Sequence, residues 1–216
     1  MRAVVVADGD VVAADRELVV GAETVVAADG GALALERWGI VPHLVVGDLD
    51  SLGRQRAEAL GKRGAKVIPY PAAKDQSDLE LALRYAVESG ADEIVVLGAF
   101  GGKRLDHSLA NATLLADPAY RGLGVRAVQG TTQVRAVHGN DSALLAGPIG
   151  AIVTLLPLRG DAKGVRTVGL EFPLAGDTLQ FGRSRGLSNV VTALPASVSL
   201  EHGVLLVIEE TTGEKT

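Results

Sequence analysis

Asp48 and Asp50 stand two residues apart where the apolar run Leu44–Val46 ends. In an extended chain, residues two apart project from the same face. Two carboxylates converging at the end of a parallel strand can hold a hard divalent cation through oxygen, and Mg²⁺ completes its shell with phosphate oxygens and water. A polar turn closed by Ser51 accounts for the same residues without any ligand.

A second group follows at Lys74-Asp75-Gln76-Ser77-Asp78-Leu79-Glu80, just ahead of the amphipathic run Leu81–Val87. Ser77 and Glu80 match the helix capping box. Capping does not require Lys74, Asp75 and Asp78, and a loop carrying acids and a lysine suits metal-bound phosphate. A third group lies after the apolar run Glu93–Leu97, where Gly101 and Gly102 precede Arg104, Asp106, His107 and Asn111. Glycines let backbone N–H groups approach an anion, and a following helix favours it. Arg104 has the fork geometry for phosphate oxygens, and Asp106 is placed to cap a helix carrying His107 and Asn111 one turn apart.

Asp29-Gly30-Gly31 supplies one more glycine turn between a strand and a helix, which a tight βα connection explains by itself. No Walker A segment and no G-x-G-x-x-G occurs at the strand–helix junctions, so ordinary P-loop and Rossmann assignments lose support. No G-x-S-x-G elbow or cysteine nucleophile is present, which leaves direct transfer between bound substrates. His43, His138 and His202 lie in unrelated contexts and are expected to be structural or surface residues.

The elements that must position these groups fall into two textures. Val-rich runs at Ala3–Ala7, Thr24–Ala28, Leu44–Val46, Lys66–Ile68 and Ile94–Leu97 have the pattern of strands buried on both faces. They alternate with helical spacing at Ala32–Trp38, Arg54–Arg63, Ser77–Ser89 and Asp106–Leu115. This predicts a three-layer α/β/α domain with a mainly parallel sheet over residues 1–123. From residue 124 to 216, strand-length stretches broken by Gly, Pro, Asn and Asp predict a smaller all-β sandwich, with strands at Val125–Val128, Val134–Val137, Ala143–Leu145, Ala151–Leu156, Thr178–Phe181 and Val204–Glu209. Glu210–Thr216 is expected to fray.

Composition bounds the rest. The chain has 216 residues, 47% of them hydrophobic, enough for a sizeable core. A net charge of -5 provides no field for nucleic acid or an anionic membrane. With no cysteine, disulfides and thiolate metal sites are excluded. No apolar stretch approaches the roughly 20 residues of a membrane helix, and the N-terminus lacks the long apolar segment of a signal peptide, so a cytoplasmic protein is expected.

Taken in order, Ala28-Asp29-Gly30-Gly31, Gly47-Asp48-Leu49-Asp50-Ser51, Lys74 to Asp78 and Gly101 to Asn111 resemble the thiamine pyrophosphokinase family, the last two most specifically. Leu155-Leu156-Pro157-Leu158, Gly169 to Leu174 and Gly186-Leu187-Ser188-Asn189 continue the likeness. Ser77 stands where the family usually has Thr, and Val190 where it usually has Glu.

The resemblance implies an ATP- and Mg²⁺-dependent enzyme that moves a pyrophosphoryl group onto the hydroxyl of thiamine and releases AMP. It implies a homodimer with active sites at the subunit interface. By the same resemblance Asp48, Asp50 and Asp78 are the Mg²⁺-associated acids, with Asp75 beside them. Gln76, Ser77, Arg104 and Asp106 surround ATP, while Asp29, Gly30, Lys74, Gly101, Gly102, His107 and Asn111 are further candidates there. Ser188 and Asn189 belong near thiamine. A related pyrophosphokinase using another hydroxymethyl acceptor such as a pterin, and a nucleotide-binding sensor without turnover, are the alternatives.

Overall fold

The computed structural model describes residues 1–211, which fold as two compact units. The first comprises Met1–Leu114 and Gly122–Gly130. Its strands are β1 (Arg2–Val6), β2 (Thr24–Ala28), β3 (Leu44–Gly47), β4 (Lys66–Pro69), β5 (Glu93–Leu97) and β6 (Gly124–Gln129). They pair in parallel in the order β6-β5-β1-β2-β3-β4. Between them run α1 (Arg16–Val19), α2 (Gly31–Arg37), α3 (Arg54–Lys62), α4 (Asp78–Glu88) and α5 (Leu105–Leu114).

Alternation along the strands divides the core into two layers. Val4, Val6, Val25, Ala27, Val45, Val95 and Leu97 pack with Leu35 of α2 and Leu60 of α3. The intervening Val5, Val26, Val46 and Val96 are fully buried as well. α4 lies against β1, β2 and β3 and buries Leu79, Leu81, Ala82, Leu83 and Ala86. A parallel sheet needs both faces covered, which is why its central strands are continuous Val runs. The Lys66–Ile68 run departs from that expectation. As β4 it is the edge strand, and none of its four residues is buried.

α4 begins where its sequence says it should. Ser77 has extended backbone and its Oγ accepts from Glu80 N at 3.1 Å. The reciprocal half of the capping box does not form, because the Glu80 carboxylate accepts from Gln76 Nε2 instead. After Glu88 and the cap residue Ser89 the chain turns at Gly90, with a φ of 88°, and Ala91 N bonds back to Ala86 O. Ser77→Ala is expected to cost about 1 kcal/mol. By differential scanning calorimetry that is a fall of about 2–4 °C for a chain of this length. An unchanged melting temperature would mean that water replaces the cap without loss.

The second unit comprises Leu115–Arg121 and the chain from Thr131 onward. It holds β7 (Thr132–His138), β8 (Ser142–Leu144), β9 (Ile152–Pro157), β10 (Ala162–Val168), β11 (Ala175–Leu179), β12 (Asn189–Val190), β13 (Ser197–Ser199) and β14 (Val204–Glu210). Antiparallel pairing gives the sequences β12-β9-β14-β7 and β11-β10-β13-β8. Val137, Val153, Leu155, Leu205 and Val207 of the first set close one core with Val165, Leu179 and Val198 of the second. This is the expected sandwich.

No single boundary at residue 123 divides the units, since Leu115–Arg121 cluster with the second and Gly122–Gly130 with the first. Val125–Val128, expected with the second domain, is part of β6 and pairs in parallel with β5, Ile94 facing Val125. Glu210 ends β14, so that part of the expected frayed tail is ordered strand, and residues 212–216 lie outside the described part of the chain.

Candidate functional site

All strands of the first unit's sheet run the same way, so the segments that follow β2 and β3 emerge side by side. Ala28 faces Val46 in the register, and Asp29 N donates to Val46 O at 2.8 Å. Asp29 is buried with a φ of 40°. Its carboxylate accepts from Ser51 N at 3.0 Å and Leu52 N at 3.2 Å, fastening the loop after β3. Within that loop Asp50 N donates to Asp48 Oδ1 at 3.2 Å, and Leu49 has a φ of 64°.

Asp48 and Asp50 therefore converge through a tight turn rather than along one face of an extended strand, since β3 stops at Gly47. Asp48 bonding its own backbone two residues on is the force that makes the turn. Carboxylate oxygens of Asp29, Asp48 and Asp50 lie within 4.8 Å of one another. Asp29, expected only as part of a glycine turn beside ATP, is thus the innermost member of an acidic trio.

Asp78, at the first position of α4, comes in from the other side. Lys74 Nζ stands 3.0 Å from Asp78 Oδ1 and 3.8 Å from Asp48 Oδ2, so one ammonium group bridges the two. Gly47 lies between the acids: a Cβ there would sit 2.9 Å from Asp29 Cβ and 3.0 Å from the Asp78 carboxyl carbon, at a φ of 147°.

Burial and the neighbouring acids shift the carboxyls of this cluster. Burial pushes the Asp29 carboxyl up to about 6, helped by the hydrogen bond it shares with Asp50 and by the charge of Asp78. The same shared bond holds Asp50 below its ordinary value. An oxygen-only donor set drawn together in this way suits a hard divalent cation carrying phosphate.

The other motif residues are placed as follows. Asp75 and Ser77 are exposed. The Gln76 amide is engaged on both sides, donating to Glu80 Oε1 and accepting from Arg84 Nη1, each at 3.2 Å. Arg104 and Asp106, expected on phosphate and as a helix cap, form a forked ion pair with each other, Nε to Oδ1 at 2.9 Å and Nη2 to Oδ2 at 2.5 Å. The guanidinium holds the Asp106 carboxyl well below the usual range. Asp106 lies inside the first turn of α5, which begins at Leu105, so it does not occupy the cap position. Gly101, Gly102 and His107 are exposed, and Asn111 Nδ2 donates to Ala99 O at 2.7 Å.

The loop after β5 meets the loop after β1, where the strand order reverses and open α/β sheets bind ligands. Gly9 N donates to Gly98 O and Asp10 N to Phe100 O. Beside them is a cavity of about 260 Å³, lined by Asp8, Asp10, Gly30, Leu33 and Arg37 among others. β5 stands two strand spacings from β2, about 10 Å, with β1 between them. Asp8 and Asp10 are absent from the sequence expectations, although Asp8-Gly9-Asp10 repeats the D-x-D spacing of Asp48 and Asp50 after another apolar strand.

In the second unit Ser188 is exposed with a φ of 56°, and its N–H donates to Thr154 Oγ1. Asn189 is buried, and its amide clasps the backbone of Phe172: Phe172 N donates to Oδ1 at 3.0 Å, and Nδ2 donates to Phe172 O at 2.8 Å. Phe172 remains 63% exposed. Phe172 is not among the residues the sequence marked for the site.

Comparison with known proteins bears on both units. The family described as "Thiamin pyrophosphokinase, catalytic domain" matches residues 16–126, and "Thiamin pyrophosphokinase, vitamin B1 binding domain" matches residues 145–205. Thiamine pyrophosphokinase of Bacillus subtilis (strain 168) is 27% identical over 186 residues, 86% of each chain. Thiamin pyrophosphokinase 1 of Caenorhabditis elegans is 27% identical over 179 residues, 78% of this chain and 70% of that one. Among solved structures, the Bacillus subtilis enzyme shares the fold with a TM-score of 0.87 at 24% identity, covering 99% of this chain and all of its own. Thiamin pyrophosphokinase from Geobacillus thermodenitrificans gives 0.81 at 25% identity with both chains fully covered.

Proposed function

The chain belongs to the thiamin pyrophosphokinase family, and on that premise we propose that it transfers the pyrophosphoryl group of ATP to the hydroxyl of thiamine. The observation that carries this reading is the acidic cluster of Asp29, Asp48, Asp50 and Asp78 at the ends of β2, β3 and the start of α4, all inside the segment matched as the catalytic domain. The thiamine hydroxyl oxygen bonds to the β-phosphorus of ATP and its proton passes to solvent, the bond from that phosphorus to the α–β bridging oxygen breaks, and AMP leaves with that oxygen.

Asp48, Asp50 and Asp78 would hold Mg²⁺, with Asp29 close enough to join them. Bound there, the ion would neutralise phosphate charge and align the donor. Lys74 supplies a point charge between Asp48 and Asp78 for the same phosphates. Arg104 reaches ATP by exchanging Asp106 for phosphate oxygens; both side chains are more than 60% exposed, so the exchange costs little desolvation. Asn189 holds Phe172 where its ring can lie against an aromatic, cationic acceptor such as thiamine. A homodimer belongs to the same proposal, supported by α5, which buries no residue and leaves Leu105 and Leu109 exposed. A cytoplasmic location is proposed with it because the donor is ATP. No helix among the described residues is long and apolar enough to cross a membrane.

Chromatography of a reaction containing ATP, thiamine and Mg²⁺ is expected to give AMP and thiamine diphosphate in equal amounts. AMP formed only when a hydroxymethyl-pterin replaces thiamine would move the acceptor assignment. ATP bound without any AMP would leave a nucleotide sensor.

A further inference from the structure

The loop that carries Lys74 is tied at Lys74 itself, whose Nζ reaches Asp78, Asp48 and Pro71 O, and is exposed just before it. Pro71, Ala72 and Ala73 are exposed, and its internal backbone bond runs from Lys74 N to Ala72 O. Such a segment pays for order in conformational entropy unless side chains fix it.

Arg84, six residues beyond Asp78 on α4, provides the fixing. Its Nη1 donates to Gln76 Oε1 at 3.2 Å and its Nη2 to the Tyr70 hydroxyl at 3.1 Å. Tyr70 follows β4, its N–H donates to Gly47 O at 2.8 Å, and its hydroxyl meets that of Tyr85 at 3.0 Å. Glu88 Oε1 lies 3.6 Å from Arg84 Nε, and the guanidinium carbon sits 5.8 Å from the centre of the Tyr85 ring, so the group is held from its own helix as well. One planar fork therefore joins the two ends of the loop, Tyr70 and Gln76, to the helix that begins with Asp78. Gly47, the glycine between Asp29 and Asp78, is bonded to the same assembly through Tyr70.

We propose that Arg84 is a positioning residue for Lys74 and Asp78, acting through Gln76, and that Gln76 is a strut of the loop rather than a contact to the nucleotide. Both polar ends of the Gln76 amide already have partners within the protein. Arginine suits the task because its donors are fixed in one plane on separate nitrogens, whereas a lysine offers all its donors from one freely rotating nitrogen. The inference rests on the reading of the acidic cluster as the Mg·ATP site.

The test is calorimetric binding of Mg²⁺ with α,β-methylene-ATP, which cannot be cleaved at the transferring bond. It is run on the full chain as wild type, Arg84→Met, Arg84→Lys, Gln76→Ala and the double variant Arg84→Met with Gln76→Ala, with thiamine binding measured in parallel. Arg84→Met and Gln76→Ala are each expected to weaken the analogue by about 5- to 20-fold with thiamine affinity within twofold, and Arg84→Lys to recover part of the loss. The double variant is expected to bind within twofold of Arg84→Met, because both changes break one link. Losses that multiply in the double variant would mean that Gln76 touches the nucleotide itself, and overturn the inference. Wild-type affinity in Arg84→Met would do the same, as would equal loss of thiamine binding, the mark of a general folding defect. Absence of analogue binding by the wild type would bring down the nucleotide reading and this inference with it. Gln76→Ala keeps the question answerable if Arg84→Met fails to fold, since it leaves α4 untouched.

Discussion

Asp78→Ala is expected to lower kcat/KM for ATP by about 10²- to 10³-fold while changing stability by less than about 1 kcal/mol. The two effects separate because the side chain has different tasks in the folded protein and in the reaction. As the first residue of α4 it gains a fraction of a kcal/mol from the helix dipole. It also stands against the charge of Asp29, which its removal relieves. Those contributions oppose each other. In the reaction, loss of Asp78 removes one acid from the cluster and leaves Lys74 with Asp48 as its carboxylate partner. A lysine drawn onto Asp48 competes for the oxygens that a metal–phosphate complex needs. Initial rates at saturating thiamine, paired with a thermal scan of each variant, check both halves. Activity within threefold of wild type would remove Asp78 from the site, and a melting point lower by more than about 5 °C would assign it a structural role instead.

How much of this was legible in the sequence depends on whether the deciding contact is local. β1, β2, β3 and β5 are Val runs because each is buried on both faces, so their composition announces them. β10 escaped because Gly164 interrupts it. That glycine has a φ of 66° and the strand shifts register around it, so no clean alternation exists to be read. The expected Thr178–Phe181 strand lies instead at Ala175–Leu179, since Phe181 is exposed and drew the pattern toward itself. α1, a single turn at Arg16–Val19, is too short to show a period.

The same division holds in the site. Asp48, Asp50, Lys74 and Asp78 stand out by type and spacing. That Asp29 belongs with them follows from the parallel register of Ala28 with Val46, a tertiary fact 18 residues apart in the chain. Gln76 and Asn189 both looked like ligand groups, and both engage their amides inside the protein, on Arg84 and Glu80 in one case and on Phe172 in the other. An amide in a motif announces hydrogen bonding without announcing to whom.

Asp29→Asn is expected to gain stability relative to wild type as the pH rises, in the absence of divalent cations. The Asp29 carboxyl titrates at about 6 in the folded chain, against about 3.9 in an unfolded one. A raised carboxyl binds its proton more tightly when folded, so its contribution to stability is fully present below the unfolded value and is lost as the pH climbs through the folded one. The window is therefore about pH 4 to pH 6–7, with little change above it. The full shift corresponds to about 3 kcal/mol, and because Asp50 at the rim of the cluster is exposed, about 1–2 kcal/mol is the realistic share, or roughly 3–6 °C in melting temperature. Asparagine keeps one acceptor for the Ser51 and Leu52 N–H groups and loses the other, at a cost of about 1–3 kcal/mol. That penalty does not vary with pH, so the quantity to measure is the difference between variant and wild type at pH 4.5 and at pH 7.5. Mg²⁺ added at pH 7.5 is expected to raise the wild type more than the variant, because a cation in the cluster offsets the charge that Asp29 holds there at its own expense. A difference that stays constant across the pH range would mean that Asp29 titrates as an ordinary surface acid, and the crowding inferred from its burial and from Gly47 would then carry no electrostatic cost.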